Sequence, residues 1–336
     1  MVKIVYSDKL GRTIRQDDLS TLGLSSQTLT EEALRSGRYE NAIELVTYFH
    51  QEMRIMHGIL MTWIKDLFRQ MLTRGQFQGD IPATVMAIAR AFETVPLGVA
   101  PREQTIQAIR VGDVEAAVDW LDRMRLEFKN PHEILVPWVH DLLTNLAETY
   151  GEEEVLHSIT ETVDQIWGPR YATWDQMTPE EKLQLTVEGM RGGHFSGPQR
   201  RGDVQLADEG DRYRIAFDPC GSGGVMRRGD PETGRAPYPT TGLNTHPHLW
   251  TWQKTGVHWY CTHCCITMEF LPGRRRGHPM RPLDHTLDHS APCVWYIYKD
   301  ETQTREYHYP RTGLERKSVT SDEWPVRSLL WSNGLD

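Results

Sequence analysis

The chemistry that this sequence could perform is concentrated in its second half. All five cysteines and nine of the fourteen histidines lie at or beyond residue 194. Cys261 and Cys264 have the Cys-x-x-Cys spacing of a zinc knuckle, in which a strand end and the following turn deliver two thiolates to one ion. The pair predicts half of a metal site, and a redox dithiol or ordinary buried thiols remain open as alternatives.

The remaining ligands are expected among the other cysteines and the histidines of the second half, His246, His248, His258, His263, His278, His285 and His289. Cys220 follows a predicted strand at 211–217 and precedes Gly-Ser-Gly-Gly, small residues that allow a loop to approach another group closely. Such a position is typical of a metal ligand or a nucleophile, although a tight turn with an incidental buried thiol would look the same. Together with Cys265, these cysteines form the predicted ligand set Cys220, Cys261, Cys264 and Cys265. The predicted ion is zinc, with iron as the alternative.

Three residues near these ligands are predicted to do the chemistry. Glu269 follows Cys265 by four residues, so a helix would place both on one face, where a carboxylate can accept a proton from metal-bound water. His263 is a second candidate for proton transfer. Cys293, at the start of a predicted strand, is expected to be a fourth ligand or a reactive group.

The arginines near the cysteines predict an anionic partner. Guanidinium groups bind carboxylate or phosphate through paired hydrogen bonds, so Arg227 and Arg228, with His258, are predicted to hold a small anionic molecule. Docking of these arginines onto the acidic first half of the chain is an equally good interpretation.

Part of the segment resembles a known family. Cys264, Cys265 and Glu269, together with the cysteine and aromatic strand at 292–298, resemble the L-2-amino-thiazoline-4-carboxylate hydrolase-like family between residues 260 and 300. The resemblance implies a small α+β ligand-binding domain and hydrolysis of a ring C–N bond in a small carboxylate. This chain departs from the family pattern at Pro292, where an acidic residue often precedes the strand cysteine. Its large helical first half is not part of the family.

Charge and hydropathy exclude several classes of protein. Residues 191–336 carry 19 Lys and Arg against 17 Asp and Glu, which leaves residues 1–190 with 18 against 29. An acidic first half argues against nucleic acid as a partner, because phosphate contacts need a clustered basic face. Charged residues interrupt the longest apolar stretches, so no membrane span is expected. The N-terminus lacks the apolar core of a secretory signal, which favours the cytoplasm, and a homo-oligomer is compatible with the sequence.

An internal repeat organises the first half. Residues 33–71 align without gaps to residues 108–146, with 12 identities in 39 positions. Each copy predicts a short helix, a turn at Gly37 or Gly112, and a long helix. Pro131 predicts a break in the second long helix. The repeated Glu, His and Asp suggest a metal site in a bundle, but Glu52 to His57 is five residues, which separates the two on an unbroken helix.

The sequence thus predicts an α+β protein with two domains. A helical domain with an internal repeat is expected over 1–190, and a Cys/His-rich α+β domain that carries the site is expected over 195–336. The predicted function is a metal-dependent enzyme, a hydrolase of a small carboxylate-bearing molecule. The alternative is a non-catalytic ligand-binding or protein-interaction module stabilised by zinc at four cysteines.

Overall fold

The computed structural model describes residues 2–75, 81–239 and 241–316, and these combine α-helices with two small antiparallel sheets. The mixed α+β class is therefore confirmed. The helices of the first half are α1 (Leu19–Leu22), α2 (Ser26–Arg35), α3 (Tyr39–Thr73), α4 (Ile81–Thr94), α5 (Val99–Arg110), α6 (Val114–Tyr150), α7 (Glu153–Thr162), α8 (Gly168–Asp175) and α9 (Pro179–Gly192). A π-helical turn at Val163–Trp167 joins α7 to α8.

Two helical hairpins dominate the first half, and their turns have the same geometry. Gly37 between α2 and α3 has φ +69°, and Gly112 between α5 and α6 has φ +76°. In both turns the amide after the glycine donates to a carbonyl five residues earlier, at 2.9 and 3.0 Å. A left-handed glycine with this hydrogen bond ends a helix at low cost, which is why each short helix stops there.

The predicted break at Pro131 is wrong. Helix α6 continues through Pro131 and Pro137 to Tyr150. Each proline removes a backbone hydrogen bond at a cost of about 3 kcal/mol in a helix interior. The long apolar face of α6 offsets this cost, because it remains buried against α3 on both sides of the prolines.

Helix α9 begins with a cap that can be recognised in the sequence, a threonine followed by proline and two glutamates. The hydroxyl of Thr178 accepts from the amide of Glu181, and the Glu181 carboxylate accepts from the amide of Thr178 at 2.8 Å. This capping box with Pro179 at the first position fixes where the helix begins.

Within the described residues, no helix is both long enough and apolar enough to cross a bilayer.

The second half is built on a four-stranded antiparallel sheet in the order β3-β4-β6-β5. Its strands are β3 (Gln205–Asp208), β4 (Arg212–Phe217), β5 (Leu283–Asp284) and β6 (Cys293–Tyr298). A separate hairpin of β1 (Lys3–Ser7) and β2 (Arg12–Gln16) lies near the N-terminus, so the prediction that residues 1–190 are entirely helical is wrong. The predicted strands at 211–217 and in the segment that begins at Cys293 are confirmed. The short helix α10 (Gly223–Arg228) follows β4.

The Cys-x-x-Cys segment is helical, so its predicted knuckle turn is wrong. Helix α11 (Trp259–Cys265) runs into a π-helical turn at Ile266–Phe270 and then into α12 (Leu271–Arg276). Cysteines three residues apart share a helix face as well as they share a knuckle, so the spacing alone could not distinguish the two structures. Single π-turns of this kind occur frequently at functional sites.

The two halves share a hydrophobic core. Trp63 on α3 lies 5.8 Å from Tyr260 on α11, measured between ring centroids. The same buried cluster includes Leu135 and Val139 of α6 together with Phe270. The helical hairpins therefore support the helix that carries the cysteine pair.

Candidate functional site

Four of the five cysteines meet at the end of the sheet nearest α10 and α11. Cys293 begins β6 and pairs with Phe217, the last residue of β4, while Cys220 follows β4 by three residues. Cys261 and Cys264 lie on α11. Antiparallel pairing thus brings Cys220 and Cys293 to the same end of the sheet, although 73 positions separate them in the sequence.

The glycines after Cys220 permit this convergence. A Cβ atom on Gly223 would lie 2.5 Å from the sulfur of Cys261, and one on Gly224 would lie 2.9 Å from the Cβ of Cys220. A Cβ atom on Gly221 would collide with the backbone carbonyl of His194. The Gly-Ser-Gly-Gly run is therefore explained by close packing of the loop against α11 and the linker before β3.

The thiols of Cys261, Cys264 and Cys293 are desolvated and influence one another. Burial raises the pKa of the Cys261 thiol to about 12, with Arg227 opposing the rise and Cys293 and Cys220 adding to it. Burial also raises the pKa of Cys264, and the neighbouring Cys261, Cys220 and Cys293 raise it further. Because thiolate is the reactive form, these raised pKa values favour neutral thiols at pH 7 unless a cation replaces their protons.

A buried arginine lies among these cysteines. The side chain of Arg227 donates to the carbonyl of Thr286 at 2.6 Å, to that of Gly223 at 3.2 Å and to the sulfur of Cys293 at 3.6 Å. Arg227 is 4% exposed, and no carboxylate of the described chain forms an ion pair with it. Its positive charge is therefore balanced only by carbonyl dipoles and sulfur.

Cys265 and Glu269 belong to a different contact network. The Cys265 thiol points at the carbonyl of Leu249, 3.7 Å away. Glu269 is fully buried and accepts from the indole of Trp252 at 2.8 Å, from the amide of Leu283 at 2.9 Å and from the guanidinium of Arg311 at 2.8 Å. Because these donors occupy both oxygens of the Glu269 carboxylate, its contacts are those of a structural residue. The proton-transfer role of Glu269 stays a prediction.

Of the other predicted residues, His258 and His263 lie beside the cysteines. The Nε2 atom of His263 is 3.5 Å from the Cys264 sulfur, its Nδ1 contacts the carbonyl of Tyr260, and burial lowers its pKa to about 4. His258 precedes α11, is 3% exposed, and has a pKa lowered to about 3, chiefly by burial. Arg228 pairs instead with Asp218 in the loop.

Sequence reasoning missed a polar cluster beneath the Cys220 loop. The Ser222 hydroxyl lies 3.2 Å from Nε2 of His132 and forms a second hydrogen bond with Nδ1 of His194. Burial lowers the pKa of His194 to about 3, so both rings act as neutral hydrogen-bonding groups. The signal in the sequence that could have revealed this cluster was His132, a histidine on the buried face of α6. The cluster ties the helical half to the loop that carries Cys220.

The cysteines are neighbours without forming a ready-made metal site. Across residues 2–75, 81–239 and 241–316, no three His, Cys, Asp or Glu side chains are already arranged as ligands of one ion. Two cavities, of about 440 and 300 Å³, lie in the helical half instead. Arg15, Tyr48, Glu188 and Arg191 are among the residues that line the smaller one.

Comparisons with known proteins do not identify the chain. No family model, no curated protein and no solved structure matches it. The resemblance of residues 260–300 to the L-2-amino-thiazoline-4-carboxylate hydrolase-like family therefore stays a prediction.

Proposed function

We propose that the chain is a metal-dependent enzyme that hydrolyses a small carboxylate-bearing molecule, with Cys220, Cys261 and Cys264 as the protein ligands of zinc or, alternatively, iron. The observation that carries the proposal is the meeting of thiols from separate segments around Arg227, a buried guanidinium without a carboxylate partner among the described residues. Metal thiolates carry negative charge, which would compensate such a cation.

The chemical fit supports three thiolate ligands. Gly223 gives the Cys261 sulfur room beside the Cys220 loop, and the desolvated thiols would release protons on binding a metal. Because the thiols are not arranged as a ligand set, the proposal includes a rotation of their side chains on binding. When bound, zinc with one open position would supply Lewis acidity to a carbonyl or to water.

The protein residues would bind and orient the substrate. Arg227 can donate to a carboxylate from the sheet side, and His258, uncharged at neutral pH, can donate or accept a hydrogen bond. His263, held by the Tyr260 carbonyl against Cys264, would orient that thiol. The proposal therefore assigns anion binding to Arg227 and proton exchange to the neutral histidines.

The alternative function is a non-catalytic ligand-binding or interaction module with a closed four-cysteine zinc site. One observation favours it: Cys293 belongs to the same group of thiols and is hydrogen-bonded by Arg227. A fourth thiolate would fill the open position and leave the metal a structural task. The status of Cys293 thus separates the two functions.

Metal content tests the proposal directly. Elemental analysis of the full chain should find about one equivalent of metal, and Cys261→Ser and Cys264→Ser should lose it. Cys265→Ser is the matched control, because its thiol points at Leu249 and should not affect the metal. Retention of metal by Cys293→Ser would support the open site, whereas its loss would support the closed one. Metal-free wild-type protein, purified without chelators, would contradict both.

A variant of Glu269 tests the remaining catalytic prediction. If this residue transfers protons, Glu269→Gln should keep its metal and lose about 10² in turnover. If its contacts with Arg311 and Trp252 are structural, the same variant should lower the free energy of unfolding by about 1–3 kcal/mol. Unchanged turnover and unchanged stability would contradict both assignments.

We also propose that residues 33–71 and 108–146 are copies of one unit. The matching turns at Gly37 and Gly112 support this origin. Glu52 and Glu127 give further support, because each accepts a hydrogen bond from the start of the first helix of its own hairpin. Glu52 accepts from the Ser26 hydroxyl, and Glu127 accepts from the Gly98 amide at 2.7 Å. The repeat also predicts matching buried places for Trp63 and Trp138. Their surroundings differ, because Trp63 is buried against α11 and Trp138 is half-buried against Phe68, and this difference counts against a common origin.

Other expectations stay predictions. They are the domain division near residues 190–195, the cytoplasmic location, the absence of nucleic-acid and membrane partners, and homo-oligomer formation.

A further inference from the structure

Two buried histidines near Arg227 have ring nitrogens that find no hydrogen-bond partner among residues 2–75, 81–239 and 241–316. Both nitrogens of His285 and the Nδ1 atom of His258 are buried in this way. His285 is 6% exposed and His258 is 3% exposed. A buried polar atom that lacks a partner costs about 1–3 kcal/mol, so three such atoms in one place indicate that something else binds there.

These groups lie together and face positive charge. Beyond the effect of burial, the charge of Arg227 lowers the pKa of both His258 and His285, and His258 also lowers the pKa of His285. Arg227 donates to the carbonyl of Thr286, and Lys254 donates to the carbonyl of His285, so both cations are fixed beside the His285 backbone. The surroundings favour an anion.

The His285 ring is held rigidly in place. It stacks on the indole of Trp252, with the ring centroids 4.6 Å apart and the planes 10° apart. Stacking fixes the directions of both ring nitrogens without satisfying either one. A neutral imidazole has one N–H donor and one lone pair, so a ligand that satisfies it must offer an acceptor and a donor.

We propose that Arg227, His258 and His285 bind a small carboxylate that carries a hydroxyl or amino group next to it. The carboxylate would accept from Arg227 and from the N–H of His258, and the hydroxyl or amino hydrogen would be donated to the free lone pair of His285. This inference deepens the proposed function and rests on it for the place of the substrate, while His285 and the donor group of the ligand are new.

Calorimetric titration of the full chain, as purified, tests the ligand class. L-lactate and L-alanine serve as carboxylates with a donor, propionate as a carboxylate without one, and lactamide as the uncharged analogue. L-lactate or L-alanine should bind at least about tenfold more tightly than propionate, the effect of one hydrogen bond, and lactamide should not bind. Equal binding of propionate, or no binding of either donor-bearing carboxylate up to 50 mM ligand, would overturn the inference.

Variants locate the site. His285→Phe keeps the ring that stacks on Trp252 and removes both nitrogens, so carboxylate binding should fall at least about tenfold while the thermal midpoint stays the same or rises. His308→Phe is the matched control, since His308 is also buried with both nitrogens unpartnered but does not adjoin Arg227. Binding that survives His285→Phe, or that His308→Phe removes equally, would refute the site.

The two proposals fail in different ways. Binding that depends on His285 in a protein without metal would overturn the metal-dependent enzyme and leave the carboxylate site standing. A metal-bearing protein whose carboxylate binding does not depend on His285 would overturn the site and leave the metal proposal standing.

Discussion

The buried arginines of the cysteine region and of the rest of the molecule have different partners. Where α9 packs on α3, Arg191 donates to Glu52 at 2.8 Å and lies 3.4 Å from Asp17. In the linker before β3, Arg200 lies 2.8 Å from Asp230 and 3.0 Å from Glu133. Arg227, among the cysteines, has carbonyls and a thiol instead.

The difference separates a structural charge from one available for binding. When carboxylates accept from the N–H groups of a buried guanidinium, its charge is compensated. Such a pair fixes the packing of the elements that carry it. A buried guanidinium without a counter-charge has lost its hydration, and no protein group compensates the free-energy cost of that loss. In the cysteine region, the described residues leave that charge without a carboxylate partner, and the proposed anion or metal thiolates would compensate it.

The largest expected effect is at the paired arginine. Arg191→Met would leave Glu52 buried without its cation, while Asp17 would keep Arg15, and we expect a loss of about 3–5 kcal/mol in the free energy of unfolding. Urea unfolding followed by circular dichroism measures this loss. A loss below about 1 kcal/mol would mean that the paired network does not hold α9 against α3.

Acid should act on the neutral histidines before the paired carboxylates. The pKa of His194 is about 3 in the fold and about 6.5 when unfolded, so unfolding takes up a proton between these values. Its contribution to stability is present above pH 6.5 and is lost as the pH falls towards 3, by about 1.4 kcal/mol per pH unit. His194→Gln should flatten the measured dependence of unfolding free energy on pH, and an unchanged slope would contradict this assignment.

The two hairpin turns offer a comparison of smaller effect. Gly37→Ala and Gly112→Ala would each place a Cβ atom at positive φ in open space, where backbone strain alone should cost about 1–2 kcal/mol. Equal thermal destabilisation by both variants would support copies of one unit. A difference above about 1 kcal/mol would show that the turns are under different constraints.

The smallest effect on stability is expected at Arg227. Arg227→Met removes a cation that has no carboxylate partner in the described part of the chain, so the change in unfolding free energy should stay within about 1 kcal/mol. Binding of L-lactate should nevertheless fall at least about tenfold. Destabilisation as large as that of Arg191→Met would remove the distinction between the two regions.

Much of the local structure could be predicted from the sequence. Thr178, Pro179 and Glu181 predicted the start of α9, because a capping box satisfies the first amides of a helix through nearby residues. Alternating apolar residues predicted β4 and β6, and the repeated glycines predicted the hairpin turns. These features depend on neighbours within a few residues, so a single sequence contains them.

Long-range contacts decided the site. Five cysteines along a chain do not reveal which of them meet, and here the pairing of Phe217 with Cys293 and the helical form of the Cys261 segment selected four. The sequence also could not show that Arg311 pairs with Glu269, or that Arg227 has no carboxylate partner among the residues that the structure describes. A buried charge is defined by the groups that surround it, and tertiary packing brings those groups from distant parts of the chain.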